Sequence, residues 1–449
     1  MNGQEASLHQ RLARKIEARE AVIGIIGLGY VGLPLAHAVH GAGFRILGFD
    51  VASDKVAMFN QGVSPIGSVS SEALTDMTRN DRFRATDDFS RLGEPDIILI
   101  CVPTPLDAHR EPDMTYIVNS VEAIAKCLRP GQLVVLESTT YPGTTEEVMR
   151  PVLERGGLRS GQDFFLAYSP EREDPGNPQY KTSGIPKVVG GDGEAALQLA
   201  CAFYAVFVPS VVPVSNTATA EAVKLMENIF RSVNIALVNE LKHVYGRMGI
   251  NIWEVIEAAK TKPFGFMPFY PGPGLGGHCI PIDPFYLTWK AREYDVPTRF
   301  IELAGEINSR APYQVIDRLV RELSDRKAKS ARNARILMLG VAYKKNVEDM
   351  RESPALVLMQ ELEDRGASVD YYDPFVPRLA ETRAHPRLAG RACVEWHLDN
   401  FCGYYDVALI CTDHDGVDYA GLVGAIDLVI DTRNATKDVT LGRGRIVLA

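Results

Sequence analysis

Short apolar runs alternate with segments of helical periodicity along the first half of the chain. Ala21–Gly27 is apolar enough to form a buried strand, Val31–Gly41 has helical spacing, and Phe44–Asp50 is again strand-like. The other strand-length runs in this half are Asp96–Val102, Leu133–Ser138, Phe164–Ser169, Lys187–Val189 and Ser210–Val214. Strands that alternate with helices favour a parallel sheet, because each parallel connection needs a crossover. The pattern predicts a doubly wound, Rossmann-type α/β domain over residues 1–215.

The pattern changes in the middle of the chain. Thr217–Met248 contains no proline, and its apolar residues recur at helical spacing, which predicts one long helix. Further helices are predicted at Asn251–Lys260, Pro284–Glu293 and Phe300–Leu323. We assign residues 216–325 to a central helical domain. Apolar residues on several faces of the long helix favour a seam between copies of the chain, so we expect a homo-oligomer, a dimer or larger.

A second alternation of strands and helices follows a charged stretch, Ser324–Asn333, which we interpret as a linker. The strand predictions are Arg335–Val341, Ser368–Tyr372, Asp406–Cys411 and Asp427–Asp431, and the helix prediction is Pro354–Arg365. This pattern predicts a smaller Rossmann-like α/β domain over residues 326–449. The expected fold class is therefore α/β, with two such domains and a long-helix region between them.

Composition narrows the class of protein. The net charge of −9 argues against nucleic acid as the main partner. Apolar runs fall short of the roughly 18–20 residues of a membrane span, and Met1–Glu20 lacks the apolar core of a signal peptide. The seven cysteines are scattered without metal-ligand spacing, which favours free thiols in a reducing compartment and no metal site. We expect a cytoplasmic protein that has neither nucleic acid nor a membrane as its partner.

A glycine-rich loop joins the first predicted strand to the first predicted helix. In Gly-Leu-Gly-Tyr-Val-Gly, the glycines allow a tight turn, close approach of a pyrophosphate and close helix packing. Asp50 ends the second predicted strand, where a carboxylate binds ribose hydroxyls and repels a 2′-phosphate, so the context favours NAD over NADP. The predicted cofactor contacts here are Gly27, Gly29, Tyr30, Val31, Gly32 and Asp50.

A second loop, Val102-Pro103-Thr104-Pro105, ends another predicted strand. A loop in this position passes over the nicotinamide side of a bound dinucleotide, so we predict that Val102, Pro103 and Thr104 contact the cofactor. The same residues also suit a strand end that is shaped by proline without any ligand.

The most unusual segment is Phe264–Trp289, which is dense in glycine, proline and aromatic residues although it lies between predicted helices. Such loops carry function more often than they fill space. Cys279 follows Gly276 and Gly277, which let a backbone approach a ligand closely. A thiol there can attack an aldehyde, whereas most cysteines are small buried hydrophobes.

Several segments carry a resemblance to one enzyme family. They are GLGYVGLPLA at 27–36, VPTP at 102–105, EST at 137–139, SPER at 169–172, a Lys-x-x-x-Asn pair on the long helix and GLGGHCIPIDP at 274–284. In this order they resemble the UDP-glucose/GDP-mannose dehydrogenase family, from about Ile23 to near Asn434. The form PGPGLGGHCIPIDPFYL is most similar to the branch that acts on UDP-N-acetylglucosamine for bacterial O-antigen and capsule synthesis.

The resemblance implies an NAD-dependent, four-electron oxidation of the C6 alcohol of a UDP-sugar to a carboxylate. It implies that Cys279 adds to the intermediate aldehyde as a thiohemiacetal, which is then oxidised to a thioester and hydrolysed. A thiolate suits both steps, because it is a strong nucleophile and a workable leaving group.

The resemblance also assigns roles to residues around the nucleophile. Lys224 and Asn228 share one helix face and match the groups that stabilise the oxyanion and position water, although Lys224 can also be a surface lysine that pairs with Glu221. Asp283 matches the carboxylate that pairs with the family's lysine, and it also suits a helix cap. The matches for acid–base work and for orienting water are Glu171 and Thr139. Where the family places a second glutamate, this chain has Pro175, preceded by Glu173 and Asp174.

Further matches concern the ligands. Arg351 is the implied contact to the cofactor pyrophosphate, and Thr139 also matches a cofactor contact. The implied contacts to the UDP-sugar are Glu171, Arg172, Lys224, Asn228, Tyr270, Gly276, Gly277, Lys344, Lys345 and Arg433. Basic groups suit a diphosphate. For the aromatic loop Phe264–Tyr270, our hypothesis is an apolar cup for an N-acetyl methyl group.

Alternatives remain within and outside this class. UDP-N-acetylmannosamine, UDP-glucose and an N-acetylgalactosamine sugar are rival substrates. A two-electron hydroxyacid dehydrogenase would share the Rossmann start but would not need Cys279. A non-catalytic sensor of NAD or UDP-sugars would need only the glycine loop and the basic groups, and the presence of Cys279, Lys224 and Asp283 together disfavours it.

Overall fold

The computed structural model describes residues 6–79, 81–107, 110–172, 184–277, 280–382 and 384–449. The chain forms two compact units. The first unit comprises Met1–Glu227 and Phe285–Val296, and the second comprises Asn228–Pro284 and Pro297–Ala449. The division into domains at residues 1–215, 216–325 and 326–449 partitions the chain differently and stays a prediction.

The first unit is built on one sheet, to which the described residues contribute eight strands. The strands are β1 (Val22–Ile26), β2 (Arg45–Phe49), β3 (Phe83–Thr86), β4 (Ile97–Ile100), β5 (Leu133–Leu136), β6 (Phe165–Tyr168), β7 (Lys187–Gly191) and β8 (Val211–Val214). They lie in the order β3-β2-β1-β4-β5-β6-β7-β8, and only the pairing of β6 with β7 is antiparallel. The first five strands have the order typical of a Rossmann fold, which confirms the predicted fold class.

Helices cover both faces of this sheet. They are α1 (Leu8–Glu17), α2 (Gly32–Gly41), α3 (Ser53–Asn60), α4 (Ser71–Arg79), α5 (Thr115–Cys127), α6 (Arg150–Leu153) and α7 (Glu194–Tyr204), with a π-helical segment at Thr144–Met149. Ile97 and Leu99 of β4 pack into one core, whereas Ile98 and Ile100 pack into the other. Burial on both faces explains why the sequence shows continuous apolar runs. The edge strand β3 alternates instead, and the apolar pattern did not predict it.

One ion pair lies inside the first unit. Glu137, which directly follows β5, is fully buried and accepts hydrogen bonds from Lys187 Nζ and from the hydroxyl of Tyr204. The Lys187 side chain is also buried. Because an unpaired charge is costly in an apolar interior, each member of this pair depends on the other.

Further helices follow the first sheet along the chain, and the first and last of them are long. They are α8 (Thr217–Arg247), α9 (Ile252–Ala259), α10 (Asp283–Ala291) and α11 (Arg299–Lys327). The predicted linker from Ser324 was wrong at its start, because α11 continues to Lys327. Two salt bridges at i,i+4 spacing join Glu322 to Arg318 and Arg326 and support this last part of the helix. In the part of the chain that the structure describes, no helix is both long and apolar enough to cross a bilayer.

The second unit contains a smaller, parallel sheet. Its described strands are β9 (Arg335–Leu339), β10 (Ser368–Tyr372), β11 (Val407–Ile410), β12 (Val429–Asp431) and β13 (Ile446–Leu448). They lie in the order β10-β9-β11-β12-β13, and the accompanying helices are α12 (Pro354–Asp364), α13 (Leu398–Phe401) and α14 (Tyr419–Ala425). Ser353 caps α12 by accepting a hydrogen bond from Ala355 N, and Pro354 occupies the first turn. This sheet confirms the predicted C-terminal α/β region.

The buried ion pair makes the first unit sensitive to loss of its cation. We expect Lys187→Met to lower the free energy of unfolding by about 3–5 kcal/mol, because Glu137 then stays buried without its partner. Urea denaturation measures this loss. Arg79→Met is the matched control, since Arg79 and Asp76 form an exposed pair, and such pairs contribute at most about 1 kcal/mol. Equal losses in the two variants would contradict the prediction.

Candidate active site

The glycine loop after β1 has the shape that a pyrophosphate requires. Gly27 has φ +88°, and a methyl group on it would lie 2.6 Å from the carbonyl oxygen of Cys101. A methyl group on Gly32, where α2 begins, would lie 1.9 Å from the carbonyl oxygen of Gly27. The position of a methyl group on Gly29 meets nothing within 4 Å, so this side of the loop is open. The packing thus fixes the first and third glycines, and the second faces space for a ligand.

The start of α2 suits an anion. Tyr30 and Val31 form the turn before Gly32. Val31 is the N-cap residue of α2 and makes no side-chain hydrogen bond to the helix. The first turn of α2 carries no acidic residue. The first N–H groups of a helix lack intrahelical partners, and the helix dipole favours negative charge there. These features fit the pyrophosphate of NAD.

Asp50 is held against the glycine loop. Its Oδ2 accepts a hydrogen bond from Leu28 N at 3.1 Å, and its Oδ1 accepts one from Ala52 N at 3.0 Å. The structure therefore places this carboxylate beside the loop, as the predicted ribose contact requires, and gives it a second role in shaping the loop backbone.

Two further loops lie at neighbouring strand ends, where ligands bind to open α/β sheets. Val102-Pro103-Thr104 follows β4, and Thr139 follows β5 by way of Ser138. Ser138 Oγ donates a hydrogen bond to Val102 O at 2.7 Å and thereby ties the two loops together. Sequence reasoning missed the role of Ser138, although its place between Glu137 and Thr139 was a signal. Thr139 itself is half-buried.

Lys224 is a buried residue of α8, 7% exposed. Its Nζ donates a hydrogen bond to the backbone carbonyl of Glu171 at 2.5 Å. The alternative of a surface lysine paired with Glu221 was wrong. Glu221 is buried and accepts hydrogen bonds from Gly143 N at 2.6 Å, from Thr145 N at 2.9 Å and from Thr145 Oγ1 at 2.6 Å. Burial raises the pKa of Glu221 to about 7.

The segment that contains Glu171 is only partly described. Arg172 forms a salt bridge with Glu227 at 2.6 Å and donates a hydrogen bond to Pro186 O at 2.7 Å. These bonds tie the Arg172 side chain to other residues of the first unit. The predicted contact of Arg172 with substrate stays a prediction. Glu173 and Asp174, the candidates for a second carboxylate, lie outside the described residues.

In the second unit, the structure joins two of the predicted catalytic residues. Asn228 Nδ2 donates a hydrogen bond to Asp283 Oδ2 at 2.5 Å, and both side chains are buried. Asp283 is also the first residue of α10, so its carboxylate lies at a helix N-terminus, as the sequence suggested. Cys279 and its neighbour His278 lie outside the described residues.

The glycines before Cys279 lie against the segment after β9. A methyl group on Gly276 would lie 2.7 Å from the Cβ of Tyr343, and Gly277 N donates a hydrogen bond to Arg351 O at 3.3 Å. The Arg351 side chain pairs with Asp349 at 2.6 Å. The segment from Tyr343 to Arg351 thus meets Gly276 and Gly277 within one unit, whereas the ligand contacts of Lys344, Lys345 and Arg351 stay predictions.

A cavity of about 1200 Å³ opens in the second unit. It brings together three of the predicted substrate contacts, Tyr270, Lys345 and Arg433. Trp253 stacks on Tyr270 with ring centroids 5.8 Å apart, and Tyr270 donates its hydroxyl hydrogen to Glu257 at 2.9 Å. The sequence reasoning missed the other basic lining residues, which are Lys260, Lys437 and Arg443. Aromatic faces and cations together suit a nucleotide base and its phosphates.

Not every predicted substrate contact lines this cavity. Gly276, Gly277 and Lys344 lie elsewhere in the second unit. Lys345 pairs with Asp415 at 3.3 Å on the exposed rim, and Asn346 donates to the same carboxylate at 2.6 Å.

Asp50 provides a test of the cofactor assignment. We expect Asp50→Asn to lower the preference for NAD over NADP by about 10- to 100-fold, because a charge-assisted hydrogen bond and the repulsion of a 2′-phosphate are lost together. The kcat/KM ratio for the two cofactors measures this preference. Asp54→Asn is the control, since Asp54 is an exposed acid on α3. An unchanged ratio in Asp50→Asn would remove Asp50 from the cofactor site.

Three family models match the chain. They are the NAD binding domain, the central domain and the UDP binding domain of the UDP-glucose/GDP-mannose dehydrogenase family, at residues 21–208, 218–310 and 337–438. Together they span more than half of the chain.

Individual relatives agree with these models. The chain is 37% identical to a UDP-N-acetyl-D-glucosamine 6-dehydrogenase of Pseudomonas aeruginosa, over 80% of this chain and 84% of that protein. It is 34% identical to a UDP-N-acetyl-D-mannosamine dehydrogenase of Pyrococcus horikoshii, over 94% of this chain and 97% of that protein. A solved structure of a UDP-D-ManNAc dehydrogenase from Pyrococcus horikoshii superposes with a TM-score of 0.84 at 33% identity, covering 94% of this chain and 97% of that chain. The chain therefore belongs to the UDP-glucose/GDP-mannose dehydrogenase family and is an NAD-dependent nucleotide-sugar dehydrogenase.

Proposed function

We propose that the chain oxidises the C6 alcohol of UDP-N-acetylglucosamine to the uronic acid, for the synthesis of a bacterial surface polysaccharide such as O-antigen or capsule. The observation that carries the UDP-sugar assignment is the cavity of the second unit, which combines stacked aromatic rings with Lys345 and Arg433. The choice of sugar rests on the relative from Pseudomonas aeruginosa, which is named for UDP-N-acetyl-D-glucosamine.

The proposed reaction proceeds in two oxidations. When bound, NAD accepts the hydride that leaves C6 in each oxidation, so two NAD molecules are reduced. The Cys279 thiolate adds to the aldehyde carbon that the first oxidation produces, and the resulting thiohemiacetal loses a second hydride to become a thioester. Water then breaks the C–S bond, which releases the carboxylic acid and restores the thiol.

The described residues supply the electrostatic part of this chemistry. An ammonium group has three N–H donors, and the bond to Glu171 O uses one donor of Lys224. In the proposal, Lys224 and Asn228 stabilise the oxygen at C6 while it carries negative charge. The hydrogen bond from Asn228 to Asp283 orients that amide. Glu171 and Thr139 assist hydrolysis by moving a proton and by orienting water.

UDP-N-acetyl-D-mannosamine is the second candidate substrate. The relative that covers 94% of this chain and the structure with a TM-score of 0.84 both carry that sugar in their names. The two sugars differ only in the configuration at C2, the carbon that carries the N-acetyl amino group. The aromatic loop at residues 264–270 is our candidate for reading this group. UDP-glucose, which lacks the N-acetyl group, is a third candidate.

The number of NADH molecules formed per sugar tests both the reaction and the substrate. With limiting UDP-N-acetylglucosamine and excess NAD, we expect two NADH per sugar, and we expect much slower turnover of UDP-N-acetylmannosamine and UDP-glucose. Absorbance at the NADH band measures the yield. One NADH per sugar would indicate a two-electron alcohol dehydrogenase, and faster turnover of another sugar would correct the substrate.

Cys279→Ser is the matched variant for the covalent step. We expect steady-state oxidation to be lost almost completely, because a serine hydroxyl is a far weaker nucleophile than a thiolate. NAD and UDP binding should survive, which calorimetry measures. Undiminished turnover of Cys279→Ser would overturn the thioester mechanism without affecting the assignment of substrate.

The proposal includes a homodimer formed along α8. Met226, Phe230, Leu237 and Val244 are exposed, and their spacing places them on one face of this helix. We expect a solution mass of twice the 49.4 kDa chain, and we expect Phe230→Glu with Leu237→Glu to halve it in sedimentation equilibrium. Leu441→Glu, at an exposed site elsewhere, should leave the mass unchanged. A wild-type protein with the mass of one chain would refute the dimer.

A cytoplasmic location also belongs to the proposal. The described cysteines, Cys101, Cys127, Cys201, Cys393, Cys402 and Cys411, are all free. Free thiols are typical of reducing compartments.

A further inference from the structure

Gly272, in the segment Phe264–Trp289, is held by side chains from α8. Its N–H donates a hydrogen bond to Asn239 Oδ1 at 3.0 Å, and its carbonyl oxygen accepts one from Lys242 Nζ at 3.1 Å. Asn239 in turn donates to Asn308 Oδ1 at 3.1 Å, and Asn308 donates to Ser232 O at 3.1 Å. Both backbone polar groups of Gly272 are therefore fixed by a buried network, which makes the loop backbone rigid at this point.

Arg433 lies directly against the same glycine. A methyl group on Gly272 would lie 2.4 Å from Arg433 Nη1 and 2.8 Å from its Cζ. Arg433 Nε donates a hydrogen bond to Cys411 O at 3.0 Å, which fixes the plane of the guanidinium. Arg433 lines the cavity of the second unit, next to Pro271 and Tyr270. Any side chain at Gly272 would displace this guanidinium.

Two cations thus converge on one backbone position. Burial and the positive charge of Arg433 lower the pKa of Lys242 to about 8. Burial also lowers the pKa of Arg433, and the negative charges of Asp413 and Asp431 offset this effect in part. Two like charges that are both partly buried raise the energy of the protein, and an anion beside them lowers it.

We propose that Lys242 is a positioning residue for nucleotide recognition: it holds Gly272 and, together with Arg433, creates a doubly positive site that a nucleoside diphosphate neutralises. Arg433 faces the cavity and meets the diphosphate, and Lys242 acts through Gly272 and through its charge. The inference deepens the proposed function and rests on it, since it concerns the UDP part of the substrate.

Proton uptake is the signature of this arrangement. In the free protein, Lys242 is partly deprotonated near pH 8. A bound diphosphate stabilises the ammonium form and raises the pKa of Lys242, so binding takes up a proton from solution. At a pH equal to the free pKa, about half a proton is taken up per site, because half of the groups are deprotonated. As pH rises through this range, the affinity for the diphosphate falls.

Calorimetric titration of the full chain with UDP at pH 8, in two buffers of different ionisation enthalpy, measures this uptake. We expect the wild-type protein to take up a fraction of a proton. In Lys242→Met, the uptake vanishes and the Kd for UDP rises about 10-fold, as for loss of one charged contact. In Lys242→Arg, affinity is largely retained but the uptake vanishes, because a guanidinium does not titrate near pH 8.

Two controls separate this role from a structural one. Arg247→Met removes an exposed cation from the same helix and should change neither the uptake nor the affinity for UDP. The Kd for NAD should stay the same in all variants. Uptake that persists in Lys242→Met, or an unchanged Kd for UDP in that variant, would overturn the inference alone. A wild-type protein that does not bind UDP would overturn the proposed function as well.

Discussion

Both units depend on one constraint, which is that polar groups must find hydrogen-bond partners at the carboxyl ends of buried parallel strands. Strands that are covered on both faces bury mostly apolar side chains, so most polar groups of the side chains and loops lie at the strand ends. At these ends, carboxylates accept hydrogen bonds from backbone N–H groups of the loops. The carboxylates are those of Asp50 in the first unit and of Asp373 and Asp431 in the second. Their backbone donors are Leu28 and Ala52 for Asp50, Val341, Ala342, Phe375 and Val376 for Asp373, and Arg433, Ala435 and Thr436 for Asp431. These hydrogen bonds shape the loops at the strand ends.

Helix α8 carries several of the buried or partly buried polar side chains around the candidate site. Glu221, Lys224, Asn228, Asn239 and Lys242 follow one another at spacings that place them on one face of the helix. Each of these side chains holds a loop or a loop residue within its own unit. The exposed apolar residues from Met226 to Val244 lie on the opposite face. One helix therefore has a polar face that binds neighbouring segments and an exposed apolar face opposite to it, and the same periodicity sets both.

Much of the fold was predictable, because its signals are local. Continuous apolar runs identified most of the strands, and the glycine loop with Asp50 identified the cofactor region. The edge strand β3 was missed because its apolar residues alternate with polar ones, and the last strand β13 was missed because its apolar run is only 3 residues long. The predicted linker began too early, because the salt bridges of Glu322 stabilise a charged helix end that composition alone does not distinguish from a loop.

The sequence by itself determined the class of the fold, the loop for the dinucleotide and the residue types available for the chemistry, because periodicity and motif spacing act over a few residues. Only the tertiary structure decided which partners these residues take. Glu221 binds the backbone at Gly143 and Thr145 rather than Lys224, and Lys242 meets Gly272 and Arg433. Such contacts join segments that are far apart in the chain. Which contacts form depends on how the helices and strands pack against each other, and a local sequence pattern does not determine that packing.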